Sequence, residues 1–386
     1  MPDPLVSFVI STHNRLSALT QTLTALNPGA PGAGTHPSET ILIDNASTDG
    51  TAAAVAENFP QVRLLRQTVN HGSCAKNFGL AEATGKYVVF LDDDSFPFPG
   101  DIDRMVEHFQ ADPLLGAAVF AVHLPSGECE CSAYPEVFAG CGVGLRSDAL
   151  RQVGGLPDDF FMQAEEYDLS LRLLDAGWRV RRFDDLRVLH MKSPASRFPG
   201  RVMRLDVRNN LTLIGRYFPD QWVLPFAHDW ARRYRMIAQA HGRSTAYWAG
   251  LAQGIARLLS PSRRRPISTA AFETFAKMHE IEQRLTRAAE QHQIKRLLLV
   301  DLGKNILPYW RAAQHCGLQV TAIADSQLGG RGFRYHGTPI VADAPAQNLR
   351  FDAAVVSNLS PVHAHRRRDF WRGRTDRPVI DLFEAA

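Results

Sequence analysis

Three consecutive carboxylates, Asp92-Asp93-Asp94, follow directly on the apolar run Tyr87–Leu91. Adjacent carboxylates repel one another, so the arrangement is unfavourable unless positive charge offsets it. A divalent cation would do so, and hard oxygen ligands suit Mg2+ or Mn2+, ions that bridge to phosphorylated ligands. A solvated acidic turn is the competing explanation. The triplet follows an apolar strand, and ligands of open α/β sheets bind at such strand ends, which favours the cation. His190 closes the strand-like run Arg187–Leu189. A lone histidine is usually structural, but beside a cation short of protein ligands it becomes a candidate third ligand.

A second carboxylate group, Glu165 and Glu166 with Asp168 behind them, opens the amphipathic run Tyr167–Leu174. Acidic residues are favourable at a helix N-terminus through the macrodipole, which accounts for one or two of them. The functional explanation makes one a general base that takes a proton from a hydroxyl nucleophile. The local pattern leaves both open.

The elements that must position these groups alternate in the first half of the chain. Strands are expected at Leu5–Ser11, Thr40–Ile43, Val62–Leu65 and Tyr87–Leu91, and helices at Leu16–Leu26, Thr51–Asn58 and Cys74–Ala83. That alternation is the signature of a mostly parallel sheet covered by helices. Further on, Gly116–Val122 and Gly142–Arg146 read as strands and Tyr167–Ala176 as a helix, while Trp178–Phe183 and Arg187–His190 read as a closing strand pair. From about Arg201 to His292 the pattern is helical and arginine-rich, with a break at Ser260–Pro266. A second alternating unit follows, with strands at Arg296–Val300, Val320–Ala324, Ala353–Val356 and Val379–Ile380 and a helix at Ile306–Cys316. The expected division is 1–218, 219–292 and 293–386.

Composition narrows the function classes. The 386 residues carry 43 Lys and Arg against 40 Asp and Glu, a net charge of +3 that argues against nucleic acid held by a global positive field. No apolar run approaches the ~20 residues of a membrane-spanning helix, and the first ten residues lack the charge and length of an export signal. The expected setting is cytoplasmic, with five reduced cysteines; Cys129, Cys131 and Cys141 have no partner set for structural zinc.

Together these motifs resemble glycosyltransferase family 2, with the GT-A fold, over about residues 5–218. The resemblance rests on Ser11-Thr12-His13-Asn14-Arg15, Ile43-Asp44-Asn45-Ala46-Ser47-Thr48-Asp49-Gly50-Thr51, Asn70-His71-Gly72 with Lys76-Asn77-Phe78-Gly79, Asp92–Asp94, Ala164–Leu169 and His190. It implies a mostly parallel nucleotide-sugar-binding sheet, then a helical segment and a small Rossmann-like α/β domain. It also implies that Ser11, Thr12, Asn14, Arg15, Asp44, Asn45, Ser47, Asp49, Gly72, Lys76, Asn77, Asp92 and Asp93 hold the nucleotide sugar. Asp92 and Asp94 stand as the two aspartates of the family's DxD motif, with His190 as a third metal ligand. Glu166, in preference to Glu165, is the base of an inverting transfer from a UDP- or dTDP-sugar to a hydroxyl of a glycan, a lipid-linked sugar or another acceptor. The family more often has Glu-Asp at 165–166. The wording around Asp44–Thr51 and Arg208-Asn209-Asn210 looks most like the rhamnosyltransferase-like branch.

Outside those motifs the expectations are structural. Arg201, Arg204 and Arg208 share a helix face, either solvated or lid-like. Arg232, Arg233 and Arg235 with Trp222, Trp230 and Tyr234 form a basic aromatic helix, compatible with peripheral contact at the inner face of a membrane and equally with ordinary helix packing. The last unit offers Leu302-Gly303-Lys304-Asn305 where a dinucleotide site needs GxGxxG, so a structural, regulatory or homo-oligomer-forming role is expected over cofactor binding. Asp325 stands where a ribose-binding acid would. The rivals are a nucleotidyltransferase, for which Thr12–Leu16 lacks a glycine-rich loop, a non-catalytic sugar-nucleotide-binding scaffold, and a dehydrogenase built on the last unit.

Overall fold

The computed structural model describes residues 3–192, 199–260 and 263–384. The expected break at Ser260–Pro266 includes residues 261–262, which lie outside the described residues. The chain divides into two compact units, Met1–Ser132 with Glu136–Pro199, and Ala133–Pro135 with Gly200–Ala386. Both are mixed α/β. Among the described residues no helix is long and apolar enough to cross a membrane.

In the first unit, β1 (Val6–Thr12), β2 (Ser38–Asn45), β3 (Arg63–Gln67) and β4 (Tyr87–Asp92) pair in parallel in the order β3-β2-β1-β4. Their connections are α1 (Leu16–Ala25), α2 (Thr51–Asn58) and a 3-10 turn, Gly72–Ala75, running into α3 (Lys76–Glu82). Both sheet faces are covered, so the strands are near-continuous apolar runs. Alternate residues divide between two cores. Phe8, Ile10, Val89 and Leu91 pack with Leu19, Leu23 and Met105. Val9, Ile43, Val88 and Phe90 pack on the other face with Ala75, Leu169 and Leu173.

Beyond β4 come β5 (Ser95–Pro97), α4 (Asp101–Ala111), β6 (Leu115–His123), β7 (Cys129–Glu130), β8 (Val143–Arg146), α5 (Ser147–Val153), α6 (Glu165–Asp175) and β9 (Arg179–His190). The sheet continues β4-β8-β6-β9-β5, with β8 antiparallel to its neighbours and β6 parallel to β9. The closing strand pair expected at Trp178–Phe183 and Arg187–His190 is one strand. Phe183 pairs with Phe120 and Arg187 with Ala121, so residues 184–186 bulge out of an otherwise continuous ladder. Asp184-Asp185 has turn chemistry, and here it makes a bulge.

The second unit begins with helices α7 (Pro199–Tyr217), α8 (Asp220–Ala240), α9 (Ser244–Leu258), α10 (Thr269–Ala276) and α11 (Met278–Gln291). Trp230 is fully buried and Tyr234 nearly so, and Trp222 stacks on Phe272. Arg232 and Arg233 donate to the carbonyls of Arg334 and Leu302. Of the two expectations for this helix, Trp230 and Tyr234 follow ordinary helix packing.

The remaining chain forms β10 (Arg296–Val300), α12 (Ile306–His315), β11 (Gln319–Ala324), β12 (Arg334–Tyr335), β13 (Thr338–Val341), α13 (Asp343–Gln347), β14 (Ala353–Val356), α14 (Pro361–Arg372) and β15 (Val379–Ile380). The sheet order is β12-β13-β11-β10-β14-β15, parallel except for β12. The Asp325 carboxylate accepts from the backbone amides of Leu302, Gln327 and Leu328. It fastens two loops.

Helix α3 packs closely on β1 and β2. A Cβ on Gly79 would stand 2.6 Å from a Val9 methyl and 2.8 Å from the Ile43 terminal methyl. Gly79→Ala is expected to destabilise the protein by about 1–3 kcal/mol through overpacking. The check is a lower denaturant midpoint at unchanged slope.

Candidate active site

Strand register assembles the site. Thr12 lies beside Asp44 and Ser11 beside Asp92, so the carboxyl ends of β1, β2 and β4 finish level. Ser95 pairs with His190, which brings the end of β9 alongside the turn that follows β4. The turn is fixed by Ser95, whose hydroxyl accepts from the Asp92 amide at 2.9 Å and donates to the Cys141 carbonyl at 2.9 Å.

Every carboxylate of the triplet has a cationic partner, Arg15 serving two of them. Asp92 shares the face of Phe90, toward α3, where the Lys76 ammonium donates to it and to the Gly140 carbonyl, both at 2.8 Å. The Lys76 side chain is 2% exposed and that of Asp92 41%. Desolvation pushes the Asp92 carboxyl up and Lys76 outweighs it, holding the group below its ordinary range. Asp93 accepts from Thr12 at 2.8 Å and from Arg15 at 2.8 Å. Burial, with the charges of Asp94 and Asp92, nonetheless pushes its carboxyl up to about 7. Asp94 pairs with the other arm of Arg15 at 2.6 Å, and His190 Nε2 stands 3.4 Å from it.

Asp92, Asp94 and His190 each offer a ligand atom, and these atoms lie within 4.8 Å of one another. Two carboxylates and an imidazole are a donor set for Mn2+ or Mg2+, and the spacing fits one ion. Behind the ring, His190 Nδ1 stands 3.6 Å from Glu130, which also pairs with Lys192. A carboxylate behind a ligating histidine is the usual orienting partner. Burial opposes a charge on His190, but Asp94, Cys141 and Glu130 together push its pKa up to about 12 in the ion-free chain. The sequence reading missed Glu130. It lies on a two-residue strand, β7, with no local pattern to mark it.

The glutamate pair sits at the N-terminus of α6, on the same sheet face as Lys76. Phe161, Gln163 and Ala164 before it all have φ near +70°, a conformation non-glycine residues avoid and functional sites tolerate. Gly72 has φ +64°, and a Cβ there would stand 2.1 Å from the Phe161 carbonyl oxygen. Only glycine permits that approach. Glu165 is buried and accepts from the Ser73 hydroxyl. Glu166 is only partly buried and lies against Gly140, whose added Cβ would be 3.4 Å from Oε1. Burial raises both carboxyls, and the charge of Glu165 raises Glu166 further. Asp168 is bound by Arg172 and belongs to the helix packing.

Several expected nucleotide-sugar residues hold loops. Asn45 bonds Asn70, His71 and Gly72, Asn77 bonds Leu156 and Asp158, and Asp49 accepts from Thr51 and from the Leu16 amide. Asn14 accepts from the Thr48 amide, and its own amide donates to Ser47. Asp44 accepts from the Ser47 amide. Ser11, Thr12 and Arg15 line the β1 end.

Residues 7–128 match Glycosyl transferase family 2. Over 261 residues the chain is 24% identical to an N-acetylglucosaminyl-diphospho-decaprenol L-rhamnosyltransferase of Mycobacterium tuberculosis, covering 53% of this chain and 83% of the relative. It is 28% identical over 204 residues to a pre-mycofactocin glycosyltransferase of the same organism, covering 46% of this chain and 40% of that one. Among solved structures it is similar to a mannosyltransferase from Pyrobaculum calidifontis in complex with GDP-Man and Mn2+. That similarity has a TM-score of 0.46 at 21% identity, covering 82% of this chain and 87% of that one.

Lys76→Met removes a buried cation that bridges Asp92 and the Gly140 carbonyl. The loss should be about 1.5–3 kcal/mol, the worth of hydrogen bonds to a charged group, read from the unfolding midpoint.

Proposed function

We propose that this chain, whose residues 7–128 match glycosyl transferase family 2, is an inverting, metal-dependent enzyme. In this reading it moves a sugar from a nucleoside-diphosphate sugar to an acceptor hydroxyl. The observation that carries the proposal is the convergence of Asp92, Asp94 and His190 within 4.8 Å at one strand end. A raised carboxyl, Glu166, lies on the adjoining side of Lys76 and Gly140.

Asp92, Asp94 and His190 would hold Mn2+ or Mg2+, with Glu130 and Lys192 behind the ring keeping Nε2 directed at the site. A divalent cation there supplies positive charge to the departing diphosphate. The chain's residues do the rest. The ends of β1 and β2, with Ser11, Thr12, Asp44 and Ser47, border the place of the nucleotide. Asn45 and Asn77 shape that border by holding the 70–72 and 156–158 loops, and so act through others. Arg15 holds Asp93 and Asp94 in place and carries the positive charge nearest to them. Glu166 Oε would take the proton of the acceptor hydroxyl as that oxygen attacks the anomeric carbon from the face opposite the diphosphate, so the configuration inverts. Glu165 keeps Glu166 basic by adding negative charge beside it. Its own carboxylate is turned under the 3-10 turn at Ser73, which favours Glu166 as the base.

The name of the Mycobacterium rhamnosyltransferase supports a deoxyhexose donor and an acceptor sugar carried on a lipid diphosphate. A UDP- or dTDP-sugar and a lipid-linked or other glycan hydroxyl are therefore the substrates to try first.

Three outcomes test the reading. Glu166→Gln should lower turnover about 10²–10⁴-fold, the usual share of a general base, and leave donor affinity nearly unchanged. Near-normal turnover in that variant with loss in Glu165→Gln would pass the role to the neighbour. The acidic limb of kcat/KM should lie well above the ordinary glutamate value of about 4.3, because burial and Glu165 raise the pKa of Glu166 and the base works only when ionised. Rate should therefore climb with pH through neutrality; a profile flat from pH 5 to 8 contradicts it. Chelation should abolish transfer, and Mn2+ should raise the melting temperature of the wild type but not of Asp94→Asn.

A further inference from the structure

Helix α9 has a fully used inner face and an unused outer one. On the inner face, a Cβ on Gly250 would stand 2.5 Å from the Arg204 carbonyl oxygen and one on Gly254 2.7 Å from a Leu211 methyl, so the two glycines let α9 press onto α7. The outer face carries Trp248, Ala252, Ile255 and Leu259, spaced by four, three and four residues and so sharing one stripe. Trp248 is 51%, Ile255 42% and Leu259 70% exposed. Eight large hydrophobic side chains are exposed among the described residues, and three of them lie on this one stripe.

The charge along this stretch of sequence is one-sided. From residue 230 to residue 272 the sequence has eight arginines and no Asp, Glu or Lys. Arg232 and Arg233 donate to carbonyls and Arg264 pairs with Asp220. Arg235, Arg263 and Arg265 are exposed, and the Arg235 guanidinium stands 5.5 Å over the Trp248 ring. An outward stripe of Trp, Ile and Leu bordered by arginine is the pattern of a helix lying in the plane of a lipid interface. A second copy fits less well. A symmetric contact sets the same patch against itself, arginine facing arginine with no acid between.

We propose that α9 docks on an anionic lipid surface, with Trp248, Ala252, Ile255 and Leu259 sinking to the headgroup boundary and Arg235 and Arg265 meeting lipid phosphates. This places the membrane contact one helix beyond the aromatic residues of α8, which are core. It concerns a surface remote in sequence from the proposed catalytic residues and stands whether or not that chemistry is right.

The test is sedimentation of the full chain with phosphatidylcholine vesicles containing or lacking phosphatidylglycerol, without donor or acceptor. Binding is expected only with phosphatidylglycerol and should weaken at high salt. The double variant Ile255→Glu/Leu259→Glu should reduce partitioning about tenfold or more, with an unchanged thermal midpoint. Ala252→Leu widens the stripe and should raise partitioning about threefold or more, with an unchanged thermal midpoint and no sedimentation in the absence of vesicles. The proposal is overturned if the wild type stays in solution with the anionic vesicles or if the double variant binds as well as the wild type. It is also overturned if light scattering finds a dimer that the double variant dissolves.

Discussion

Three carboxylates at the end of one buried strand constitute the constraint around which the first unit is organised. Buried charge is tolerated only when paired and hydrogen-bonded. The pairing here is distributed: Lys76 comes from α3 to Asp92, Arg15 from the end of β1 to Asp93 and Asp94, and His190 from β9 to Asp94. Each partner reaches the triplet from a different part of the chain. The electrostatics of three acids and their three partners thus tie together the parallel half of the sheet, the helix on its far face and the last strand of its mixed half. Strand parity decides which partner meets which acid. Asp92 shares the face of Phe90 and so meets α3. Asp93, past the strand end, meets Thr12, which shares the face of Ile10.

Backbone geometry supplies what pairing alone does not. The bulge at residues 184–186 adds length to β9 without breaking its ladder with β6, and the strand then sets His190 opposite Ser95. Glycine at 72 lets the Phe161 carbonyl come close, and the three left-handed residues at 161–164 turn the chain into α6 so that the glutamate pair opens the helix. Those left-handed residues are strained, and such strain persists only where surrounding contacts over-determine it. Here the contacts include the Asn45 and Asn77 amides, which hold the loops on either side.

This distinction between holding and binding marks the limit of the sequence. The triplet, the glutamate pair and His190 were legible because their residue types follow recognisable elements, a buried strand, a helix start and a strand end. Strands β10, β14 and β15 were legible from their apolar runs. Asn45, Asn77, Asp49 and Asn14 enter as ligand contacts only through the family resemblance, and in the structure their side chains bond neighbouring loops, since an amide or carboxylate suited to a ribose hydroxyl also suits a backbone amide. Only three-dimensional proximity separates the two uses. Glu130 gave no signal, since a two-residue strand has no periodicity. The expected break between Phe183 and Arg187 is instead a bulge in one strand, because the residues that suit a turn also suit a bulge.

The second unit makes the same point about fold and function. Its sheet places β10 at the centre with β11 and β13 on one side and β14 and β15 on the other, an order that in open parallel sheets creates a crevice beyond β10 and β14. Side chains already occupy that position. Arg367 spans Asp301 and Asp343, Asn358 donates to Asp301, and the Asp325 carboxylate is committed to three backbone amides. Burial pushes the Asp301 carboxyl up to about 6 even with Arg367 beside it. An acid that fastens two loops does not present itself to a ribose, and an arginine held between two carboxylates does not present itself to a phosphate. The topology would permit a nucleotide site, but the side chains there have been turned to holding the sheet together, so the distinctive chemistry of this unit has to be sought on its surface.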